Sequence, residues 1–268
     1  MTNITIGFIG AGNMAASIVG GLLAEGHAPE RIWLNDIAAS RLDELEQQFK
    51  VNTSLNYSDF VAQCDVIVLA VKPQNMEEVC QALQTALPTP LPLIISIAAG
   101  VTVSRLQSWL GAAPVVRAMP NTPALVQTGA TGLYASTEVT AEQHQQAEQL
   151  LNSVGISVWL SDEAQMDAVT AVSGSGPAYF FLLMEHMIAS GQALGLDEST
   201  ARQLVLQTAL GAATLASNSE EPPSVLRERV TSPGGTTAAA LNTFMQGGFD
   251  TLVADALAAA KRRSEELA

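Results

Sequence analysis

The stretch Ile4-Thr5-Ile6-Gly7-Phe8-Ile9-Gly10-Ala11-Gly12-Asn13-Met14-Ala15 decides the fold class of this 268-residue chain. Its first six residues form an apolar run that predicts a buried strand, and a helical pattern starts at Met14. The turn between them has the form GxGxxA. Gly10 makes the tight turn, Gly12 lets a pyrophosphate approach the backbone, and Ala15 allows close helix–strand packing. In this strand–turn–helix context the motif predicts a dinucleotide-binding site at the start of the first helix.

Composition limits the classes of partner that this chain can have. Hydrophobic residues make up 48% of the chain and charged residues 14%, which is typical of a well-packed globular protein. The formal net charge of −14 opposes binding to nucleic acid or to an anionic membrane. We therefore expect a small-molecule substrate, with no nucleic acid and no membrane as partner.

Neither the N-terminus nor the cysteines point to secretion. No basic region precedes the first apolar run, so no signal peptide is predicted, and the apolar stretch 91–103 is too short to cross a bilayer. Cys64 and Cys80 match no metal or redox spacing and are predicted to be buried, reduced thiols. These features predict a cytoplasmic protein without a metal site.

Apolar strand patterns alternate with helical patterns over the first 162 residues. After the strand at 4–9, further strands are predicted at 32–35, 65–71, 93–97, 115–118 and 156–160, and helices are predicted at 14–25, 40–49, 76–86 and 143–151. The run 65–71 is almost continuously apolar, as in a central parallel strand. This order predicts the α/β class with a Rossmann-type, doubly wound parallel sheet, and it assigns residues 1–162 to a dinucleotide-binding domain.

From about residue 163 the sequence predicts helices and no strand. They lie at 164–172, 178–194, 198–217, 222–230, 236–245 and 249–267, with a Ser/Gly turn at 173–177. These helices are apolar over much of their circumference, and a domain of about a hundred residues buries only part of such a surface by itself. Residues 163–268 are therefore predicted to form an all-α substrate-binding and dimerisation domain that packs against a second copy.

Two interpretations of the nucleotide type are open at the end of the second strand. Asp36 stands where an acid commonly accepts hydrogen bonds from the ribose hydroxyls of NAD, and it would repel a 2′-phosphate. Ser40 and Arg41 follow closely and can bind that phosphate, or Arg41 is an ordinary surface charge. Lys72 ends the third strand, at the edge of the sheet where ligands sit. It can contact a phosphate, a ribose or the substrate, or it is a solvated loop charge.

A second glycine-rich turn, Thr231-Ser232-Pro233-Gly234-Gly235-Thr236-Thr237, lies between two helical patterns. Pro233 stops a helix, the glycines free the backbone, and the threonines can cap the next helix. Such a turn presents N–H groups and hydroxyls together, which suits a small carboxylate. A simple helix-to-helix connection with a threonine cap explains the same residues, so this pattern alone leaves both interpretations open.

The substrate end has no obvious proton carrier. A hydroxy-acid dehydrogenase needs a His or Lys base, and no lysine occurs between Lys72 and Lys261. His27 is predicted in a surface turn, His144 in a polar helix, and His186 at a core position of an apolar helix. An imine substrate removes the need for a base, because a protonated C=N group accepts hydride directly.

Six blocks in a fixed order carry a family resemblance over the length of the chain. They lie at 8–14, 70–73, 96–100, 117–123, 172–179 and 232–237. With these blocks the chain resembles the pyrroline-5-carboxylate reductase family of proline biosynthesis. The resemblance implies reduction of 1-pyrroline-5-carboxylate to L-proline by NAD(P)H, with NADPH often favoured and NADH possible.

The resemblance also implies roles for individual residues. The loop residues around the substrate carboxylate are Ser232, Gly234, Gly235 and Thr236. Thr237 approaches the ring nitrogen as the catalytic residue, and Glu220 contacts proline. The cofactor-binding residues are Ile9, Gly10, Ala11, Gly12, Asn13, Met14, Asn56, Ala70, Val71, Lys72, Pro73, Ile97, Ala98 and Ala99. Asp36 is included with them because of its position at the end of the second strand. The resemblance further implies an interlocked homodimer, often in larger rings, in which one subunit's cofactor domain faces helices of the other.

Two alternatives stay open. A NAD(P)-dependent hydroxy-acid dehydrogenase of similar architecture would need a base after the 173–177 turn, where His186 is the available residue. A non-catalytic nucleotide-binding protein would not need the second turn at 231–237. Turnover of the imine with either nucleotide distinguishes a reductase from both.

Overall fold

The computed structural model of the chain describes residues 4–267. The chain forms two compact units, one of residues 4–175 with 260–267 and one of residues 176–259. The predicted boundary near residue 162 would place the short helix Met166–Val169 in the second domain. In the structure this helix packs on the sheet of the first unit, where a Cβ at Gly132 would lie 2.8 Å from Cγ1 of Val169. The assignment of dinucleotide binding to residues 1–162 and of substrate binding and dimerisation to residues 163–268 stays a prediction.

The first unit contains an eight-stranded sheet of the order β3-β2-β1-β4-β5-β6-β7-β8. The strands are β1 Ile6–Ile9, β2 Ile32–Asn35, β3 Asn52–Ser54, β4 Val66–Leu69, β5 Leu93–Ser96, β6 Val115–Met119, β7 Gly129–Ala135 and β8 Gly155–Trp159. Strands β1 to β6 pair in parallel, β7 is antiparallel to β6, and β8 is parallel to β7. The strand order reverses at β1, between β2 and β4, as in a dinucleotide-binding fold. The predicted Rossmann-type sheet is confirmed.

Helices cover both faces of this sheet. They are α1 Asn13–Ala24, α2 Ala39–Phe49, α3 Met76–Gln84, α4 Val103–Leu110, α5 Ala141–Asn152 and α6 Met166–Val169. Successive strand residues enter different buried clusters: Val66 and Val68 belong to one, Ile67 and Leu69 to the other. Alternate residues of a strand face opposite sides of a sheet, so β4 is buried on both faces and its apolar run has no polar alternation.

Strand β7 was not predicted from the sequence, and neither were β3 and α4. Glycine is typical of turns, but in β7 Gly129 and Gly132 each allow another part of the chain to approach closely. A Cβ at Gly129 would lie 2.9 Å from the carbonyl oxygen of Val154, and Gly132 lies against Val169. Glycine inside a strand often marks such an approach of another backbone or helix. Its antiparallel pairing with β6 also means that the sheet is not parallel throughout.

The prediction of a Ser/Gly turn at 173–177 is wrong. Residues Thr170–Gly174 form a π-helical segment, in which the N–H of Ser175 donates to the carbonyl oxygen of Thr170 at 2.8 Å. A Cβ at Gly174 would lie 2.7 Å from Cε of Met119, so glycine permits this packing. The chain passes directly from this segment into the next α-helix, which begins at Gly176.

The second unit is all-helical, as predicted. It is formed by α7 Gly176–Ala193, α8 Glu198–Ser217, α9 Pro223–Arg229, α10 Thr236–Gln246 and α11 Phe249–Leu267, the last of which ends in the first unit. Asp197 caps α8, since its Oδ1 accepts the N–H of Thr200 at 3.0 Å. Large apolar side chains of α7 are exposed, among them Phe180 and Phe181. None of the helices described between residues 4 and 267 is long and apolar enough to cross a membrane.

Candidate active site

The glycine turn after β1 has an open space above it. Gly10 has φ +97°, and a Cβ there would lie 2.7 Å from the carbonyl oxygen of Ala70, so both conformation and contact require glycine. A Cβ at Gly12 would meet no heavy atom of the described residues within 4 Å. Gly12 is also the N-cap of α1 and caps it with no side chain, which leaves first-turn N–H groups available. A pyrophosphate therefore fits this turn.

Short backbone hydrogen bonds join the predicted cofactor segments along the carboxyl edge of the sheet. The N–H of Ala70 donates to the carbonyl oxygen of Ile9 at 2.8 Å, and the N–H of Ile97 donates to that of Leu69 at 3.1 Å. The segments that follow β1, β4 and β5 consequently lie side by side. Lys72, Pro73 and Ala99 are exposed at this edge, whereas Ala98 is buried. The structure thus brings Ile9–Met14, Ala70–Pro73 and Ile97–Ala99 together.

Asp36 and Arg41 both bind the backbone of Ala11 in the glycine turn. Oδ2 of Asp36 accepts the N–H of Ala11 at 2.8 Å, and Oδ1 accepts the N–H of Ala38 at 3.0 Å. The guanidinium Nε of Arg41 donates to the carbonyl oxygen of Ala11 at 3.0 Å, while its Nη1 pairs with Glu44. Both residues therefore hold the turn in shape.

Asn56 lies at the outer edge of the sheet, just after β3. Its side chain is exposed, and Oδ1 accepts the N–H of Ser58 at 3.2 Å. Strand β3 is joined to β2 through Nδ2 of Asn35, which donates to the carbonyl oxygen of Ser54 at 3.0 Å. Asn56 thus lies on the Asp36 side of the carboxyl edge, two strands from the glycine turn.

A cleft of about 400 Å³ opens beyond the ends of β4 and β5. The lining residues, all in the first unit, include Pro73, Gln74, Ala99, Gly100, Thr170, Ser175, Arg263 and Ser264. Sequence reasoning assigned no role to the last four. The π-helical segment and the end of α11 bring them here, and the local pattern holds no signal for it.

Asn121 fixes the π-helical segment beside this cleft. Its buried side chain donates from Nδ2 to the carbonyl oxygen of Ser173 at 3.0 Å and accepts at Oδ1 the N–H of Ala130 at 2.9 Å. Ser264 likewise donates to Oδ1 of Asp167 at 2.6 Å and so attaches the end of α11 to α6. These side chains position the cleft wall.

In the second unit, the turn before α10 leaves its helix N-terminus without a side-chain cap. Gly234 has φ +70°, and the N–H of Gly235 donates to the carbonyl oxygen of Ser232 at 3.0 Å. Gly235 is the N-cap, and no side chain described by the structure caps it. The predicted threonine cap is therefore wrong: Thr236 and Thr237 are the first residues of α10. Uncapped first-turn N–H groups beside hydroxyls can bind a carboxylate.

The two adjacent glutamates before α9 differ in their partners. Oε1 of Glu221 pairs with Nη2 of Arg229 at 2.5 Å. Glu220 is exposed, and within residues 4–267 its carboxylate has no hydrogen bond or ion pair. The loop at 232–237 follows α9 whereas Glu220 precedes it, so a seven-residue helix of about 10 Å separates them along the chain.

Two of the three histidines differ from their predicted positions, whereas His144 lies in the polar helix α5 as predicted. His27 is 5% exposed, because its N–H returns to the carbonyl oxygen of Leu22 and turns the residue inward after α1. His186 is exposed on α7, so the predicted core position is wrong. The ring of His144 packs on Trp159 with centroids 4.4 Å apart. Neither His144 nor His186 is among the residues that line the cleft.

The two cysteines are buried, as predicted, and chemically quiet. Burial, with a smaller effect from Asp65, raises the pKa of Cys64 to about 12, and burial raises the pKa of Cys80 to about 12. Both thiols are therefore protonated near neutral pH, whereas cysteine chemistry requires the nucleophilic thiolate. The described residues also bring no three His, Cys, Asp or Glu side chains together as a metal site.

The strand order, the glycine turn and the open start of α1 define a Rossmann-type dinucleotide-binding protein with an additional helical unit. Residues 163–267 match the family model described as pyrroline-5-carboxylate reductase dimerisation, and residues 5–100 match that described as NADP oxidoreductase, coenzyme F420-dependent. A pyrroline-5-carboxylate reductase of Pseudomonas aeruginosa is 55% identical over 269 residues, covering 100% of this chain and 98% of that protein.

Two solved structures agree with this assignment. A pyrroline-5-carboxylate reductase from Coxiella burnetii has a TM-score of 0.96 and 43% identity, covering 99% of this chain and 98% of that one. The Plasmodium falciparum pyrroline carboxylate reductase, solved with NADP bound, has a TM-score of 0.87 and 30% identity, covering 100% and 99% of the two chains. The chain belongs to the pyrroline-5-carboxylate reductase family.

Proposed function

We propose that this chain reduces 1-pyrroline-5-carboxylate to L-proline with NAD(P)H, the last step of proline biosynthesis. Beyond family membership, the observation that carries the proposal is the uncapped start of α10, where first-turn N–H groups and the hydroxyl residues Ser232, Thr236 and Thr237 occur together. A carboxylate-bearing imine matches this set of donors.

The reaction needs a hydride and a proton at the two ends of one C=N bond. A nicotinamide held by the first unit would supply the hydride that forms the C–H bond at the imine carbon, and the C=N π pair would become the amine lone pair. Ser232, Gly234, Gly235 and Thr236 hold the carboxylate through N–H and hydroxyl groups. The hydroxyl of Thr237 orients the protonated ring nitrogen, and Glu220 contacts the same ring, where its charge favours a cation.

The nucleotide is held by the first unit. Gly10, Ala11, Gly12, Asn13 and Met14 surround the pyrophosphate, since the space above Gly12 is open. The remaining contacts come from segments joined at the carboxyl edge of the sheet. These contacts are Ile9, Asp36, Asn56, Ala70, Val71, Lys72, Pro73, Ile97, Ala98 and Ala99.

The hydroxy-acid dehydrogenase alternative lacks its base. Its mechanism requires a His or Lys that takes the hydroxyl proton at the reacting carbon. His186 is exposed on α7, whose neighbouring apolar residues are exposed as well. No histidine or lysine lines the cleft beside Pro73 and Ala99. An imine substrate requires no such group.

We also propose a homodimer that shares its active site between subunits. The exposed apolar residues of the second unit include Phe180, Phe181, Leu182 and Leu183 on one helix, a surface that a monomer rarely leaves to water. Elution mass in light scattering tests this assembly. The cytoplasm is the proposed location, since reduced and buried Cys64 and Cys80 suit a reducing compartment.

One assay tests the reaction. Purified protein is mixed with pyrroline-5-carboxylate and either NADH or NADPH, and nucleotide oxidation is followed at about 340 nm with proline quantified as product. We expect proline to form in equal amount to the nucleotide oxidised. Absence of oxidation with both nucleotides would contradict the proposal.

A further inference from the structure

Two backbone hydrogen bonds hold the carboxylate of Asp36, just after β2, in a fixed orientation. Asp36 accepts the N–H of Ala11 through Oδ2 and the N–H of Ala38 through Oδ1, at 2.8 and 3.0 Å. A carboxylate offers about four acceptor positions, so each oxygen retains one for a ribose hydroxyl. A ribose with both hydroxyls free can donate to Asp36, whereas a 2′-phosphate brings negative charge to the same place.

Arg41 is the residue that would compensate this charge, but two of its three guanidinium nitrogens, Nε and Nη1, already have partners. Nε donates to the carbonyl oxygen of Ala11 at 3.0 Å, and Nη1 pairs with Oε2 of Glu44 at 2.7 Å. The Arg41 side chain is 26% exposed and that of Glu44 is 62% exposed. To bind a 2′-phosphate, Arg41 would have to leave Glu44 or share its charge with it.

The net charge of this corner is therefore negative. Asp36 and Glu44 contribute two carboxylates against the single guanidinium of Arg41. Glu46 is turned to another partner, because its Oε2 accepts the hydroxyl of Thr53 at 2.8 Å. A phosphate monoester carries about −1.5 to −2 charge near neutral pH and would be repelled here.

We propose that Asp36 and Glu44 together make this enzyme select NADH over NADPH, which rests on the function proposed above. Asp36 accepts the ribose hydroxyls, and Glu44 withholds Arg41 from a 2′-phosphate. Glu44 is thus a specificity-determining residue that needs no contact with NADH. The expected preference is at least about tenfold in dissociation constant, the size produced by loss of one charge-assisted contact.

Binding without substrate tests the proposal independently of turnover. The dissociation constants of NADH and NADPH are measured by fluorescence titration, and those of AMP and adenosine 2′,5′-bisphosphate by calorimetry. We expect Glu44→Gln to tighten NADPH and the bisphosphate about three- to tenfold and to change NADH less than about twofold. Asp36→Asn should weaken NADH and tighten NADPH. Glu46→Gln, which removes the same charge from the same helix, is the control and should leave the ratio unchanged.

Two results would overturn the inference. One is a wild-type protein that binds NADPH as tightly as NADH or more tightly. The other is a Glu44→Gln variant whose nucleotide ratio moves no more than that of Glu46→Gln. If NADH is preferred in binding while neither nucleotide reduces pyrroline-5-carboxylate, the selection by Asp36 and Glu44 holds and the proposed substrate is wrong.

Discussion

Arg117 and Glu163 form an ion pair inside the first unit, with Nη1 and Oε1 2.9 Å apart. The Arg117 side chain is 5% exposed and that of Glu163 22%. The same Oε1 accepts the N–H of Val103 at 2.8 Å, at the start of α4. The Glu163 carboxylate thus connects the segment that precedes α6 to both β6 and α4. This segment leads into α6 and then into the π-helical segment beside the cleft.

Removing this carboxylate should destabilise the protein. Glu163→Ala leaves Arg117 buried without its partner, and we expect a loss of about 2–4 kcal/mol, since breaking a buried pair typically costs 3–5 kcal/mol and this one is partly exposed. Glu163→Gln should cost less, because its amide oxygen still accepts from Val103. The measurement is the melting temperature at a fixed protein concentration.

An exposed ion pair of the same unit supplies the control. Arg263 and Glu266 are 2.8 Å apart with both side chains more than half exposed, and Glu266→Ala should change stability by less than about 1 kcal/mol. Equal losses for Glu163→Ala and Glu266→Ala would show that burial adds nothing to the Arg117 pair.

Gly12→Ala should weaken nucleotide binding without unfolding the protein. Its φ of −68° suits alanine and a Cβ there meets open space, so the methyl group occupies the place of the pyrophosphate. We expect affinity for NADH to fall by at least about tenfold in fluorescence titration, with little change in melting temperature. Gly20→Ala, on the same helix with Phe49 at 3.6 Å from the new Cβ, should retain full affinity. Normal binding by Gly12→Ala would exclude this turn as the pyrophosphate site.

Thr237→Ala should reduce proline formation while nucleotide binding persists. We expect kcat/KM for pyrroline-5-carboxylate to fall about 10- to 100-fold, the range for loss of one positioned hydrogen-bond donor. Thr243→Ala lies on the same helix, and its hydroxyl only donates to the carbonyl oxygen of Ala239 at 3.1 Å. Identical kinetics in the two variants would remove Thr237 from the site.

The buried cysteines predict how stability depends on alkaline pH. In the unfolded chain a thiol ionises near its ordinary pKa of about 9, whereas burial raises the pKa of Cys64 and Cys80 to about 12. Below pH 9 both states are protonated and the stability is fully present. Between about pH 9 and 12 the unfolded state loses protons that the folded state keeps, so stability falls.

Two measurements check this prediction. A chromogenic thiol reagent at about pH 8 should label neither cysteine in the native protein and both after denaturation. The melting temperature should decrease less steeply above about pH 9 in a Cys64→Ala, Cys80→Ala double variant than in the wild type. Rapid labelling of the native protein would show that the thiols are accessible and ionised.

The fold was largely predictable because its signals are local. The apolar run of β4, the turn at Gly10 and Gly12, and the helical patterns each depend on residues close in the chain. The strand β7 escaped prediction because Gly129 and Gly132 look like turn residues until Val154 and Val169 are seen to pack against them. The π-helical segment also escaped prediction, because the close packing of Gly174 against Met119 involves β6, a strand distant in sequence.

The sequence by itself determined the α/β class, the helical second unit, the nucleotide turn and the family. Tertiary structure decided which distant partners the side chains have: Asp36 and Arg41 with Ala11, Asn121 with Ser173 and Arg117 with Glu163. The physical reason is range. Turns and periodic patterns are set by backbone conformation and neighbouring side chains, whereas a carboxylate's partner depends on which groups the completed sheet and helices bring within about 3 Å.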